Sequence, residues 1–508
     1  MRFFLSIITG LILFTPAQGL RAADVRRPNI VVILTDDQGY ADFSFNPNHS
    51  KEVSTPHMDA LARQGVFFSN AYISGAVCSP TRAGLMLGRY QQRVGIYTAG
   101  QGGRGFNPRI PIFPLFLPGQ YTSTAIGKWH LGNAEAGPLN QGFDVQVPKW
   151  NGCCPKGGYH PPYRMEGLKI KGKKDEYLTD RLTSMALDFM GQSKDKPFFL
   201  YLSHFSVHDP IQGRKDLVDK YRVKLATLPP LEGPPFILEG NPDDKAPLSR
   251  EKLTDLLGKS SHQGHKVLPQ RTIKIKQRQD NVEFAAMVES VDESLGRVLE
   301  KLDEMGQTDN TIVIFYSDNG GMSAGNFGNP TRVVQQNQLD RAYATSNLPL
   351  RGAKGWLYEG GVRVPMIVKW PGKGRAGVIC EEPVISPDFY PSILEMVGLP
   401  AKPAQHKDGK SFAPALQGKS FERGPIYWHF PHYSNHGMQS PGGAIRLGDY
   451  KLLEYFENKT VQLFNLKEDI GEQNDLARVQ PKKAAKLLAK LREWRKDVDA
   501  RMLRPKNN

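Results

Sequence analysis

Residues Pro28 to Asp37 read PNIVVILTDD. An unbroken run of β-branched and apolar residues, with no polar alternation, reads as a strand covered on both faces, the kind found in parallel sheets with helices on each side. The run closes on two carboxylates, Asp36 and Asp37, and Gly39 lets the chain turn away. In open α/β sheets ligands collect at the carboxyl ends of strands. Adjacent aspartates are also common in loops and caps, so this pair alone defines no site. The stretch sets the fold class: an α/β chain with a large, mostly parallel sheet sandwiched by helices.

Working outward, TIVIFYSDNGG at 311–321 repeats the construction and closes on Asp318 and Asn319. Two core strands ending in oxygen-rich pairs can share one metal. Three carboxylates and an amide are hard donors without histidine or thiolate, a set suited to Ca²⁺, with Mg²⁺ second, and unsuited to zinc. YTSTAIGKWHLG at 121–132 reads as a strand entering a loop that carries Lys128 and His130, whose i, i+2 spacing in extended chain turns both side chains one way. PFFLYLSHFSVHDP at 197–210 is a third strand run, ending in His204 and His208, and MIVKWPG at 366–372 another. Met58, Leu61 and Ala62 after Pro56 mark a short helix, and Val288, Val291, Leu295, Val298, Leu299 and Leu302 one face of a long one from Phe284 to Met305. Beyond residue 420, PIYWHF, AIRLGDYKLLEYF and VQLFNL alternate like antiparallel strands, and Pro481 opens a helix. The expected division is a catalytic α/β domain over 24–420 and a C-terminal subdomain over 421–508, a small antiparallel sheet with a packing helix. Residues 211–279, rich in Pro, Lys and Arg, read as an insertion of loops and short helices, of the kind that often carries specificity.

At the N-terminus Arg2 precedes an apolar run from Phe3 to Phe14 and small residues follow, the layout of a signal peptide over residues 1–23. Twelve apolar residues are too few to span a bilayer, and no cysteine nearby indicates a lipid anchor. An exported protein, periplasmic or secreted, is expected. Of 508 residues, 66 are basic and 51 acidic, a net charge of +15 that favours polyanionic partners. Sulfated polysaccharide, nucleic acid and an anionic membrane surface all fit such a charge, and solvated basic faces account for it equally well; nothing resembling a nucleic-acid-binding module accompanies it. Of the four cysteines, Cys153 and Cys154 are adjacent and Cys78 has another candidate role, which speaks against a disulfide framework.

That role comes from VCSPTRAGLMLGR at 77–89, where Cys78, Pro80 and Arg82 stand in the order C-x-P-x-R. A buried thiol is the ordinary reading of a single cysteine. Pro80 fits the first turn of a helix, which puts residue 78 at a helix N-terminus that favours a nearby anion. The stretch resembles the signature of the type I sulfatases, of the alkaline phosphatase superfamily. GKWHLG at 127–132 and LPLRGAKGWLYEGGVRVP at 348–365 resemble two further motifs of that family.

The resemblance implies that Cys78 is converted by a maturation enzyme to formylglycine, whose hydrate supplies the nucleophilic oxygen and completes a metal sphere of Asp36, Asp37, Asp318 and Asn319. It implies that Arg82 holds the diol, Lys128 and Lys354 neutralise sulfate oxygens, His208 protonates the departing alcohol and His130 takes the proton whose loss expels sulfate; His204 is then structural. An ordinary serine at 78 accepts sulfate but has no second hydroxyl with which to release it, and Ser79 cannot substitute. The implied activity is hydrolysis of sulfate esters, with exo-acting O-desulfation of a sulfated glycan, galactose or N-acetylgalactosamine 4-sulfate, as the expected case. The YWHFPHY segment offers His432 and, with His436 and Arg446, candidate sugar contacts whose structural roles stay equally open. Two rival readings are a phosphonate monoester or phosphodiester hydrolase of the same superfamily, against which Asn319 speaks, and a non-catalytic glycan-binding protein with Cys78 unconverted.

Overall fold

The computed structural model describes residues 27–502 apart from 50, 101–110, 118, 120, 169–174, 194–195, 231, 233–235, 259–272, 324–343 and 435–438. The signal-peptide stretch and His436 lie outside the described residues.

Eight strands form the main sheet: β1 (Asn29–Thr35), β2 (Val66–Phe68), β3 (Thr122–Gly127), β4 (Val145–Val147), β5 (Phe198–Ser203), β6 (Thr311–Ser317), β7 (Met366–Lys369) and β8 (Val378–Cys380), in the order β8-β2-β7-β6-β1-β5-β3-β4. Only β7 runs against the rest. β1 lies centrally and is fully buried, as its uninterrupted apolar run requires. Ile30, Val32 and Leu34 enter one core and Val31 and Ile33 the other, the period-two alternation of a strand covered on both sides.

One face is covered by α1 (Pro56–Gln64), α3 (Leu178–Gln192) and α6 (Val282–Glu304), through residues such as Leu61, Leu182 and Val288. The other is covered by α2 (Cys78–Leu87) and α7 (Phe389–Met396), and by a four-stranded antiparallel sheet of β9 (Ile426–Phe430), β10 (Gly442–Leu447), β11 (Tyr450–Tyr455) and β12 (Val461–Asn465) with α8 (Pro481–Asp497) packed on it. Ile426, Trp428 and Leu491 share a core with Ile30 and Val32, so the C-terminal sheet has no separate interior. The 211–279 insertion holds more regular structure than its composition suggests. α4 (Lys215–Ala226) has twelve residues, α5 (Arg250–Gly258) follows, and Phe236–Glu239 pairs antiparallel with Ile273–Lys276.

For the site, register matters most. Thr35 lies beside Ser317, Leu34 beside Ser203, and Gly127 beside Ser203. Four adjacent parallel strands, β6, β1, β5 and β3, therefore end at one level, and whatever follows each end meets the others.

Candidate active site

Asp36 and Asp37 follow β1 directly, Asp318 and Asn319 follow β6, and all four are fully buried. Asn319 Nδ2 donates to Asp37 Oδ1 at 2.6 Å and the Asp37 amide to Asp318 Oδ1 at 3.3 Å. Asp36 Oδ1, Asp37 Oδ2 and Asn319 Oδ1 remain buried without a hydrogen-bond partner. Leaving such oxygens unmatched is expensive, and three of them at the ends of two adjacent strands, all hard donors, fit a divalent cation of the Ca²⁺ type.

α2 begins at Cys78, with Pro80 in its first turn and Val77 as its extended N-cap. The Cys78 thiol thus sits at the positive end of a helix, although burial pushes its pKa up. Its Sγ lies 3.3 Å from His130 Nδ1. Lys128 and His130 reach the site differently from the extended-chain expectation. The strand ends at Gly127, and His130 has a left-handed φ of 59°, so a turn, not strand alternation, sends Lys128 Nζ to Asp36 Oδ2 at 2.5 Å and His130 to Cys78. Ser79 Oγ donates to the His130 carbonyl at 2.8 Å and fixes that turn on α2.

Arg82 departs further from expectation. Its guanidinium contacts Asp318 Oδ2 at 2.8 Å and donates to Ser203 Oγ and the Lys128 carbonyl at 2.6 and 2.9 Å. These bonds tie the ends of β6, β5 and β3 together, so the geometry makes Arg82 a positioning group for Asp318. Lys354 Nζ lies 2.6 Å from Asp37 Oδ1. Its loop is held by Asn347, whose Nδ2 donates to the Gly321 and Gly352 carbonyls. His208 Nε2 faces Asp37 Oδ2 at 3.8 Å, while Nδ1 is 2.6 Å from Asp209 Oδ1.

Burial pulls the His208 pKa down, as does Lys354, but Asp37, Asp36 and Asp209 outweigh them and push it up to about 9. For His130, burial and then Lys128 and Arg82 act together and hold the pKa well below the ordinary imidazole range. Two histidines in one cleft are thus pushed apart, His208 towards the proton donor and His130 towards the neutral acceptor. The site sets Asp36, Asp37, Asp318 and Asp209 against Arg82, Lys128, Lys354 and His208, so a bound dication would give it an excess of positive charge. Such a centre suits an anionic substrate.

His204 bonds Ser294 Oγ at 2.9 Å inside the core, where burial lowers its pKa to about 3. The C-terminal candidates stand elsewhere. Arg446 is committed to Tyr72 Oη and Asn70 Oδ1, packing the small sheet on the main domain, and His432 lies on the Phe430 ring. Among the described residues, no hydrogen bond or ion pair joins either to Cys78, Lys128, His130, His208 or Lys354. Asp209 was not singled out from the sequence; a carboxylate next to a candidate catalytic histidine was the available signal. From Asp209 outward runs a cavity of about 740 Å³, lined also by His160, Ile211, Gln212, Lys215 and Arg222.

Comparison with known proteins is consistent across methods. The Sulfatase family profile matches residues 28–399, and the profile described as N-sulphoglucosamine sulphohydrolase, C-terminal, matches 353–499. A sulfatase of Formosa agariphila is 28% identical, over 92% of this chain and 89% of its own. The N-acetylgalactosamine-6-sulfatase of Mus musculus is 29% identical, over 87% and 75%. The crystal structure of Ps i-CgsB in complex with k-i-k-neocarrahexaose superposes with a TM-score of 0.69 at 27% identity, covering 92% of this chain and 93% of that one.

Proposed function

The chain belongs to the sulfatase family and is a sulfuric ester hydrolase, and we propose that it removes single O-sulfate groups from a terminal residue of a sulfated glycan, using a formylglycine made from Cys78. The observation that carries this reading is the meeting of Cys78, at the start of α2 and 3.3 Å from His130, with four buried oxygen-donor side chains and two buried lysines.

As formylglycine, position 78 offers two hydroxyls on one hydrated carbon, one to attack sulfur and one whose deprotonation releases sulfate. Asp36, Asp37, Asp318 and Asn319 would hold Ca²⁺, which when bound lowers the pKa of the nucleophile and attracts the sulfate oxygens. Lys128 and Lys354 stay charged, their pKa values raised by Asp36 and Asp37 against the effect of burial, and stabilise charge on the ester oxygens. Arg82 holds Asp318 and the Lys128 loop in place. His130, neutral, accepts a proton at residue 78; His208, protonated and oriented through Nδ1 by Asp209, donates from Nε2 to the leaving alcohol. The sugar then lies on the His208 side, where the Asp209 cavity opens, and that volume is of the size that holds small ligands.

The relatives named for N-acetylgalactosamine-6-sulfate and crystallised with neocarrahexaose support a substrate of the galactose series. We assign O-sulfated galactose or N-acetylgalactosamine; the sequence resemblance favours the 4-position, the N-acetylgalactosamine-6-sulfatase relatives the 6-position. Two measurements test the proposal. The peptide containing residue 78, from protein made in its native host, is expected about 18 Da lighter than the cysteine form, as conversion of a thiol side chain to an aldehyde requires. Sulfate release from paired 4- and 6-sulfated galactose and N-acetylgalactosamine then fixes the position. An unmodified thiol in active protein overturns the nucleophile, and turnover of aryl sulfate or phosphate esters alone overturns the glycan assignment.

A further inference from the structure

Cys153 and Cys154 take no part in this chemistry, yet they stand beside it. Their sulfurs lie 2.7 Å apart, one exposed and the other half-buried. Cys154 Sγ, a His208 ring nitrogen and an Asp209 carboxylate oxygen all lie within 4.8 Å of one another. The loop that carries the pair is fixed rather than free. Trp150 Nε1 donates to the Cys154 carbonyl at 2.8 Å, Lys156 stacks on the Trp150 ring, and Asn151 Oδ1 accepts from the Gly132 amide at 2.9 Å, next to the His130 turn. The two sulfurs are in direct contact, so a single ion held by Cys154 is within reach of both. A thiolate, an imidazole and a carboxylate are a borderline donor set, quite unlike the oxygens of Asp36, Asp37, Asp318 and Asn319.

We propose that Cys154, His208 and Asp209, with Cys153 available as a fourth ligand, form a second cation site for a borderline ion such as Zn²⁺, and that its occupancy stops turnover. Tetrahedral zinc with bonds near 2.0–2.3 Å places its ligand atoms about 3.5 Å apart, so a cluster that spans at most 4.8 Å contracts on the ion. Binding forms zinc–sulfur, zinc–nitrogen and zinc–oxygen bonds, releases to solvent whatever protons the ligating atoms carry, and changes no oxidation state. The ion takes up both the His208 ring and the Asp209 carboxylate that orients it, so His208 no longer serves the departing sugar alkoxide. Asp209 also lines the cavity assigned to the sugar. The shut-off rests on the reading of His208 as general acid; the site itself does not.

The test uses the full-length, Ca²⁺-loaded enzyme under a phosphine reductant. Co²⁺ is expected to give the near-ultraviolet thiolate-to-metal absorption, absent from Cys154→Ala. Zn²⁺ is expected to inhibit desulfation by the wild type, while Cys154→Ala and Cys154→Ser keep the basal rate and need at least about tenfold more zinc, as loss of a metal ligand requires. Absence of the cobalt band, or equal zinc inhibition of both variants, overturns the site, the second because zinc then acts at the oxygen donors. A cobalt band with undiminished turnover keeps the site but overturns the shut-off, whereas the role of His208 stands or falls with its own leaving-group test.

Discussion

Asp318 shows how individual residues set the terms for the chemistry. Its carboxylate is fully buried, held by Arg82 on one side and by the Asp37 amide on the other. Removing one partner of a buried pair typically costs about 3–5 kcal/mol, because the other charge is stranded. Arg82→Met is therefore expected to lose that much unfolding free energy in urea with the cation chelated, and distinctly less in saturating Ca²⁺, which would supply Asp318 with a counter-charge. Equal losses in both conditions count against Asp318 as a metal ligand. The same chelation, in wild type, is expected to lower the melting temperature, with recovery that depends on Ca²⁺ concentration. His208 makes a different prediction. A general acid matters in proportion to the basicity of the leaving group, so His208→Ala should lose about 10²–10⁴-fold in turnover on a sugar sulfate and far less on a nitrophenyl sulfate, whose phenolate leaves unaided. A uniform loss across both substrates removes His208 from that role.

Among elements, the ends of strands are what the site is built on, and they also divide what sequence reading reaches from what it misses. The runs at 29–35, 198–203 and 311–317 are legible because a strand buried on both faces needs unbroken apolar residues, and the polar residue at each end marks where the strand gives way to the buried site. α2 and α6 are legible from Pro80 and from a sustained apolar face. Strand order and register are not, because β1, β5 and β6 are almost interchangeable in composition; only their pairing shows that Ser203, between Lys128 and Asp318, receives Arg82. The left-handed turn at His130 is likewise set by tertiary contacts, since nothing in KWH demands it. Gly127 is where that turn begins. Its φ is 101°, and a Cβ there would stand 1.9 Å from the Ser203 carbonyl oxygen. Gly127→Ala is expected to cost about 2–4 kcal/mol, at the severe end for a single substitution, and to lower kcat further by moving Lys128 off Asp36. A variant with wild-type stability and rate argues against the strand end as the positioning device.

On the scale of the whole molecule, the C-terminal sheet acts as a wall of the catalytic core, although its sequence, with a change of pattern near residue 420, reads as a separable unit. Trp428 is fully buried, stacks edge-on against Tyr72 and donates to the Ile73 carbonyl, a few residues ahead of α2. Lys451, on β11, is buried between Glu359 at 2.8 Å and Glu472 at 3.0 Å. Glu359 follows Lys354 by five residues and also accepts a hydrogen bond from Tyr72, so one buried charge network links the small sheet to the loop that delivers an active-site lysine. Replacing Lys451 by methionine leaves Glu472 without the cation that faces it and Glu359 with Arg363 alone, at 3.4 Å. The expected result is a loss of about 3–5 kcal/mol in one cooperative transition, with near-ultraviolet circular dichroism and desulfation vanishing at the same denaturant concentration. Because Glu359 is displaced, kcat under native conditions should also fall. Two separated transitions, with activity surviving the first, would show instead that the C-terminal sheet is a passenger domain and that the Lys354 loop holds its own position.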